Sequence, residues 1–421
     1  MLGGKIAEAV LDGTAIPTGP DAFLARRPEV SELAEQLGLG EALVSPVARA
    51  ARIYRNGELH ALPPNVLGVP ASTDFGESGL ISPEGALRAE AGVGDSPERT
   101  TADESVGSLV RRQLGDEVLE FLVDPLLGGI NAGDSDRLSI MAGVPQLDAL
   151  RKRNPRLLDA AAEAIAQAQA SMDLDNPPPV FHSIEGGLQR LVDTLVDVLE
   201  ASELVTIFTE AEATLLPGTN GWQIRTADVS VHVDSVISTI PAPASARLVA
   251  EASPIGAELL SEIEYSSVAL TIMVLAPGTI PLDPAISGVL IPRTLGLDVT
   301  AVSFATHKWP ELAVGGRQVL RVSVGRRTNT SWTGLNDEEL VASIERDLSE
   351  IFGVEVEATT TSVHRWMDAL PQYDVGHLER LSHLDALPGL DGVVLTGAWR
   401  DGLGLPACVQ SGRTAAQVVT A

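Results

Sequence analysis

The segment Gly402-Leu403-Gly404-Leu405-Pro406-Ala407 constrains the fold more than any other, because it is the one match to G-x-G-x-x-G/A in the chain. It follows the apolar run Val393 to Trp399 and opens a helical run, Pro406 to Val419, so a strand–turn–helix unit is predicted here. Its position excludes a dinucleotide fingerprint: in a chain of 421 residues, too few follow Ala407 for a second strand and an acidic residue ~20 positions on. Pro406 suits the first helical position, where its missing N–H has no intrahelical partner to lose. The helix N-terminus then offers free amides and the positive end of the helix dipole, which together favour an anionic group.

Elsewhere the chain alternates between two periodicities. Lys5 to Thr18 reads as a hairpin around Asp12-Gly13, and the stretch from Arg52 as another around Asn56-Gly57. Between them Val30, Leu33, Ala34 and Leu37 mark a helix that Gly38 stops. Thr101 to Met172 is helical throughout. Thr101 and Glu104 are spaced as a capping box, Val106 to Val123 carries one apolar face, and Pro125 is expected to end that helix. A Pro-rich break at Asn176 to Pro179 and Gly186-Gly187 precede an amphipathic helix. Strands are predicted at Leu204–Phe208, Gly221–Arg225, Val229–Val233 and Ser235–Ile240, and Val268 to Val324 is rich in β-branched runs. Asn336 to Phe352 is a further helix, with Leu340, Ile344 and Leu348 on one stripe. The pattern is α/β plus α+β, built discontinuously with a helical insert.

Composition narrows the function. A formal net charge of −28 excludes general affinity for nucleic acid or anionic lipid. It also means that an anionic ligand needs a local cluster of Arg or Lys. The single cysteine, Cys408, rules out an internal disulfide and suits a reducing cytoplasm. No apolar run approaches the ~18 residues of a membrane span. The seven histidines show no metal spacing such as H-E-x-x-H, and His377 is read as a structural residue.

The segment from Gly397 through Ala416 resembles the closing motif of the oxygen-dependent porphyrinogen oxidases, which belong to the amine-oxidase-like FAD superfamily. That family usually has Pro-Asp-Cys where this chain has Pro406-Ala407-Cys408. Gly3-Gly4-Lys5, Gly19 to Phe23 and His60 to Pro63 resemble the family's N-terminal motifs. Glu104 to Val118, Asp124 to Ser139, Phe181 to Leu191 and Leu370 to His377 match further segments, in the expected order and over nearly the whole length. Other flavin oxidases and desaturases would be expected to share the closing motif but not the Glu104 to Ser139 run.

The resemblance implies a three-part fold. A discontinuous, Rossmann-like FAD-binding domain takes residues 1–54, 183–250 and 386–421. A mixed-sheet substrate domain takes 55–62, 173–182 and 251–385, and a helical domain takes 63–172. It implies FAD as cofactor and O2 as electron acceptor, with flavin contacts at Lys5, Gly19, Pro20, Asp21, Ala22, Ala211 (beside the adenine), Leu378, Leu403, Gly404 and Leu405. Leu378 stands where some members have Trp, and Leu67 where some protoporphyrinogen oxidases have an Arg that meets a propionate. The implied activity is oxidation of coproporphyrinogen III to coproporphyrin III with release of H2O2, in heme biosynthesis. The alternatives are protoporphyrinogen IX oxidation and non-catalytic porphyrin binding. Handover of product to later enzymes of that pathway is expected, with no nucleic-acid partner and no stable membrane insertion.

The family begins with a strand, a G-x-G-x-x-G turn, a helix and a second strand ending in Glu, directly followed by Gly-Gly-Lys. Here Gly-Gly-Lys begins at residue 3. Either a βαβ start of roughly 30 residues lies upstream of the sequence as given, or the FAD-binding domain is N-terminally truncated and binds flavin weakly or not at all. Hydride transfer from a carbon to flavin needs orientation rather than a catalytic triad, and no triad is found. Arg52, Arg55, Arg293, Lys308, Arg365 and Arg400 are the candidate cations for substrate carboxylates, and Trp309 and Trp366 the candidate aromatic walls.

Overall fold

The computed structural model describes residues 2–75, 79–92, 102–170 and 178–420. Two Gly-containing turns nucleate the N-terminal hairpins. β1 (Glu8–Leu11) pairs antiparallel with β2 (Thr14–Pro17), and after α1 (Pro28–Gln36), β3 (Ala50–Arg55) pairs antiparallel with β4 (Glu58–Ala61). Asp12 and Asn56 sit at positive φ in these turns, which is why Asp-Gly and Asn-Gly serve there.

The helical region begins with α2 (Val106–Leu114), capped by Ser105, whose hydroxyl accepts from the Ser108 amide. The expected Thr101–Glu104 box is therefore not the cap. Thr101 lies outside the described residues, and Glu104 instead pairs with Arg112 and Arg151. Pro125 does not end a helix. It lies in the first turn of α3 (Asp124–Asn131), preceded by a π-turn at Leu119–Val123. A first-turn proline loses no hydrogen bond, and the wider turn before it gives its ring room. α4 (Leu157–Ala170) completes the layer, whose apolar face packs Leu109, Leu119, Leu122, Leu147 and Leu157 into one cluster.

After α5 (Gln189–Glu200), Leu204–Phe208 forms no strand. Leu204 is 96% exposed, and without a neighbouring strand an apolar run has neither ladder nor packing to hold it extended. β5 (Val236–Ser238) follows a three-stranded antiparallel sheet spanning 214–233.

The largest sheet uses β6 (Tyr265–Leu275), β7 (Ile286–Leu290), β8 (Val299–Phe304) and β9 (Gln318–Val324). Next come α6 (Asp337–Phe352) and β10 (Thr360–Pro371). The strand order is β10-β6-β9-β8-β7-β3-β4, antiparallel except for the parallel β7–β3 pair. Alternation sorts its two faces. Leu320, Val322 and Val324 of β9 pack with Leu340, Ile344, Leu348 and Ile351 of α6, whose i, i+4 spacing makes one stripe. Val319, Arg321 and Ser323 point the other way, toward the N-terminal hairpin and an open cavity.

α7 (His377–Asp385) leads to β11 (Val393–Leu395), which pairs parallel with β5, and the chain closes in α8 (Leu405–Thr420). The predicted apolar strand ends at Leu395, because Ala398–Asp401 turns helical and buries Trp399. No helix among the described residues is long and apolar enough to cross a membrane.

Candidate active site

The cavity on the open face of the large sheet holds about 390 Å³, inside the ~300–1,000 Å³ span of small-molecule sites. Its floor exists because β7, β8 and β9 present small side chains there: Gly288, Ala301, Ser303 and Ser323. At Gly288 a Cβ would stand 2.6 Å from the Val302 carbonyl oxygen, so only glycine fits. Asp21 and Ala22, from the loop after β2, form one wall. Arg49, just before β3, and Phe181 form another.

Asp21 joins this loop to the sheet. Its carboxylate accepts from Lys308 and from Trp309 Nε1 at 3.3 Å, and is ion-paired with Arg321 Nη1 at 2.9 Å. Burial pushes the Asp21 carboxyl up, but the Arg321 and Lys308 charges outweigh it and hold the group well below the usual carboxylate range. Arg321 Nη2 also donates to the Gly19 carbonyl, and Trp366 Nε1 donates to the Thr18 carbonyl at 2.7 Å. The 18–22 loop is thereby bolted to β9 and β10. Arg321 Nε is buried and has no hydrogen-bond partner.

The other side of the same loop meets the start of α8. A Cβ on Gly19 would overlap the Lys5 carbonyl oxygen, so glycine is obligatory for this approach. Lys5 is charge-coupled to Cys408 in the first turn of α8. Burial pushes the Lys5 ammonium down, and Cys408 acts against it. Burial likewise pushes the Cys408 thiol up, with Lys5 pulling the other way. Ile6, Phe23, Leu405 and Val409 share one apolar cluster, while Leu403 packs on the helical core. Asp401 fixes the turn by accepting from Thr396 Oγ1 and Ser411 Oγ, both at 2.8 Å. A second cleft, about 620 Å³, runs alongside β11 and α8 past Thr396, Asp401 and Ser411.

The structure brings Gly19 onto Lys5 and Lys5 near Cys408 of α8, which Gly404 precedes and Leu405 opens. Pro20 lies in the same loop as Gly19, whereas Asp21 and Ala22 line the sheet cavity and Leu403 packs on the helical core. Ala211 lies exposed in an irregular stretch, and Leu378, 43% exposed, opens α7. Leu378 follows His377, which is buried 5.0 Å from the Tyr373 ring. Burial, then the Arg380 charge, push the His377 imidazole down to about 4. Leu67, at φ 51°, packs on the helical core.

Of the six candidate cations, Lys308 alone lines the sheet cavity, and its ammonium is taken by Asp21. Arg55 pairs with Glu117 at 3.2 Å and stacks over Phe121, and Arg52 donates to the adjacent Ala51 carbonyl. Arg293 serves Asp124, Asp134 and Asp136. Arg365 pairs with Asp337 at 2.8 Å, and Arg400 with Asp385 beside the second cleft. Trp309 and Trp366 hold the loop by their indole N–H groups and are absent from the cavity lining. Sequence reasoning missed Arg321 and Arg49. For Arg321 a signal existed: the one charged residue, at the centre of the largely apolar strand Gln318–Val324.

A profile of the flavin containing amine oxidoreductases matches residues 1–420. The chain belongs to this family and is a flavin oxidoreductase. Coproporphyrinogen III oxidase of Bacillus subtilis (strain 168) is 32% identical over 420 residues, covering 98% of this chain and 88% of that protein. Protoporphyrinogen oxidase 1, chloroplastic, of Arabidopsis thaliana is 28% identical across 97% of this chain and 79% of that protein. A solved protein from Exiguobacterium sp. 255-15 that carries a protoporphyrinogen oxidase name superposes with a TM-score of 0.86 at 30% identity, covering 100% of this chain and 90% of that one. The residues present fit a flavin ring at α8. Among the described residues only Pro406 Cδ, at 3.7 Å, lies near the place a Cβ on Gly404 would take, the helix end supplies donors beside that space, and Lys5 adds positive charge near Cys408 in the same first turn.

Proposed function

We propose that this chain oxidises coproporphyrinogen III to coproporphyrin III, with three O2 reduced to three H2O2 per substrate. Six hydrogens leave the substrate, four from the meso carbons and two from pyrrole nitrogens, in three two-electron steps. The observation that carries this reading is the sheet cavity and its wall. The loop 18–22 that meets Lys5 at the start of α8 also closes, through Asp21, a small-residue cavity lined by three cations. The named relatives oxidise porphyrinogens, and substrate and cofactor would meet across this single loop.

Bound FAD supplies the two-electron acceptor that O2 reoxidises. In this reading Lys5, Gly19 to Ala22 and Leu403 to Leu405 hold the flavin, Ala211 the adenine, and Leu378 faces the ring. The protein orients the substrate and excludes water; Asp21, held between Lys308 and Arg321 and kept ionised, is no acid for the reaction. Protons from the pyrrole nitrogens pass to solvent. Porphyrin product is then available to later steps of heme synthesis.

The test is the absorption spectrum of the purified chain after incubation with FAD and desalting, followed by fluorescence detection of porphyrin from coproporphyrinogen III. A retained flavin band with porphyrin and H2O2 formed near 1:3 supports the proposal. A flavin band with faster turnover of protoporphyrinogen IX moves the assignment to that substrate. A colourless protein that binds coproporphyrin without turnover favours the non-catalytic reading.

A further inference from the structure

The sheet cavity carries more positive charge than its own structure uses. Arg49, Lys308 and Arg321 line it, and Asp21 is the one carboxylate among the lining residues. Asp21 engages Lys308 and one edge of Arg321. Two features are left over. Arg321 is 8% exposed, and its Nε has no partner. Such a buried, unsatisfied donor costs about 1–3 kcal/mol, and Arg321 lines the cavity floor with guanidinium N–H groups left over beyond its contacts to Asp21 and Gly19. Arg49 is exposed at the cavity wall and pairs with no carboxylate among the described residues. In a chain of net charge −28, an unneutralised guanidinium beside a cavity stands against the global field.

We propose that Arg49 and Arg321 are the carboxylate-recognition residues of this cavity, Arg321 receiving one substrate carboxylate at the floor and Arg49 a second at the solvent-facing wall. The inference rests on the reading of the cavity as the porphyrinogen site and deepens it. Two separated cations select for a substrate with several carboxylates on a rigid frame. The apolar surface of Phe181 and Leu290 covers the ring between them. Arg suits both positions because its planar fork offers paired donors to a carboxylate and stays charged when partly desolvated.

The experiment compares wild type with Arg49→Gln, Arg49→Glu, Arg49→Lys and Arg321→Lys. The last keeps the charge facing Asp21 while removing Nε and the Nη2 bond to the Gly19 carbonyl, and melting curves separate any loss of fold from loss of binding. Steady-state kinetics with coproporphyrinogen III should show KM raised about tenfold by Arg49→Gln and Arg321→Lys and further by Arg49→Glu. Most of the Arg49 loss should be restored by Arg49→Lys, and the change should fall on KM rather than kcat. Fluorescence quenching gives the Kd of coproporphyrin III for the same proteins. The tetramethyl ester, which lacks the charges, should bind all variants alike. Turnover by wild type with KM and Kd unchanged in Arg49→Gln and Arg49→Glu overturns the inference. Wild type without turnover, but with coproporphyrin binding that weakens tenfold in Arg49→Gln, sinks the oxidase reading and leaves this inference standing. Equal sensitivity of the free acid and the ester overturns it, because the effect would then be packing rather than charge.

Discussion

Asp21 shows how much one side chain decides here. With 15% of its side chain exposed, it neutralises Lys308, one edge of Arg321 and an indole N–H at once. Asp21→Asn keeps the shape and removes the charge, leaving two buried cations facing each other. Breaking a buried pair in this way typically costs about 3–5 kcal/mol, so a melting temperature several degrees lower is expected. The pH dependence carries a sign. Asp21 has a folded value below its unfolded one, so its stabilisation is fully present above the ordinary carboxylate range near 4. That contribution is lost as pH falls through the lowered folded value. Urea midpoints measured from pH 6 down to pH 3 should therefore fall less steeply in Asp21→Asn than in wild type. Parallel slopes would show that Asp21 is not held low.

At the scale of the element, the large sheet illustrates how a two-residue period separates stability from function. In β9 the even-numbered residues Leu320, Val322 and Val324 feed the core under α6, while Arg321 and Ser323 face the cavity. The small residues on that face are not core positions left underfilled; they make the volume. Ala301→Leu on β8 adds three carbons into open space rather than into packed side chains. We expect a melting temperature within about 2 °C of wild type, since surface-type changes shift stability by at most ~0.5 kcal/mol. Loss of coproporphyrin binding should accompany it, and both follow from one titration and one melt. Unaltered binding would place the substrate elsewhere, for example in the cleft beside β11 and α8.

Across the whole molecule, the helical layer and the large sheet are joined by a buried ionic tie. Asp124 of α3, 1% exposed, accepts from Arg326 at 3.2 Å and from Ser135 at 2.7 Å, and Arg293 approaches it at 3.5 Å. Burial pushes the Arg326 guanidinium down, Asp124 opposing. Asp124→Ala removes the partner but leaves Arg326 buried. A loss of about 3–5 kcal/mol is expected, read as a lower urea midpoint with an unchanged slope if the two layers still unfold together. A shallower slope would mean that they come apart separately. The −28 net charge adds general self-repulsion, so moderate salt should raise the midpoint of wild type and variant alike.

Local order was legible in the residues themselves. The Asp12-Gly13 and Asn56-Gly57 hairpins, the stripe of α6, the proline in the first turn of the last helix (second rather than first, since Leu405 opens it) and the family-like closing motif are all determined within a few neighbouring residues. Turn chemistry, side-chain period and capping act over that range. Pro125 and Leu204–Phe208 were misread because proline changes role with its helical position and an apolar run becomes a strand only beside another. What only the tertiary structure decided is which charges remain available. Lys308 looked like a free cation until the fold placed Asp21, 287 residues away in sequence, on its ammonium. Arg321 looked like part of a strand until its partners left one N–H without an acceptor. Charge pairing is settled by distance in space and by burial, and neither is written in the order of the residues.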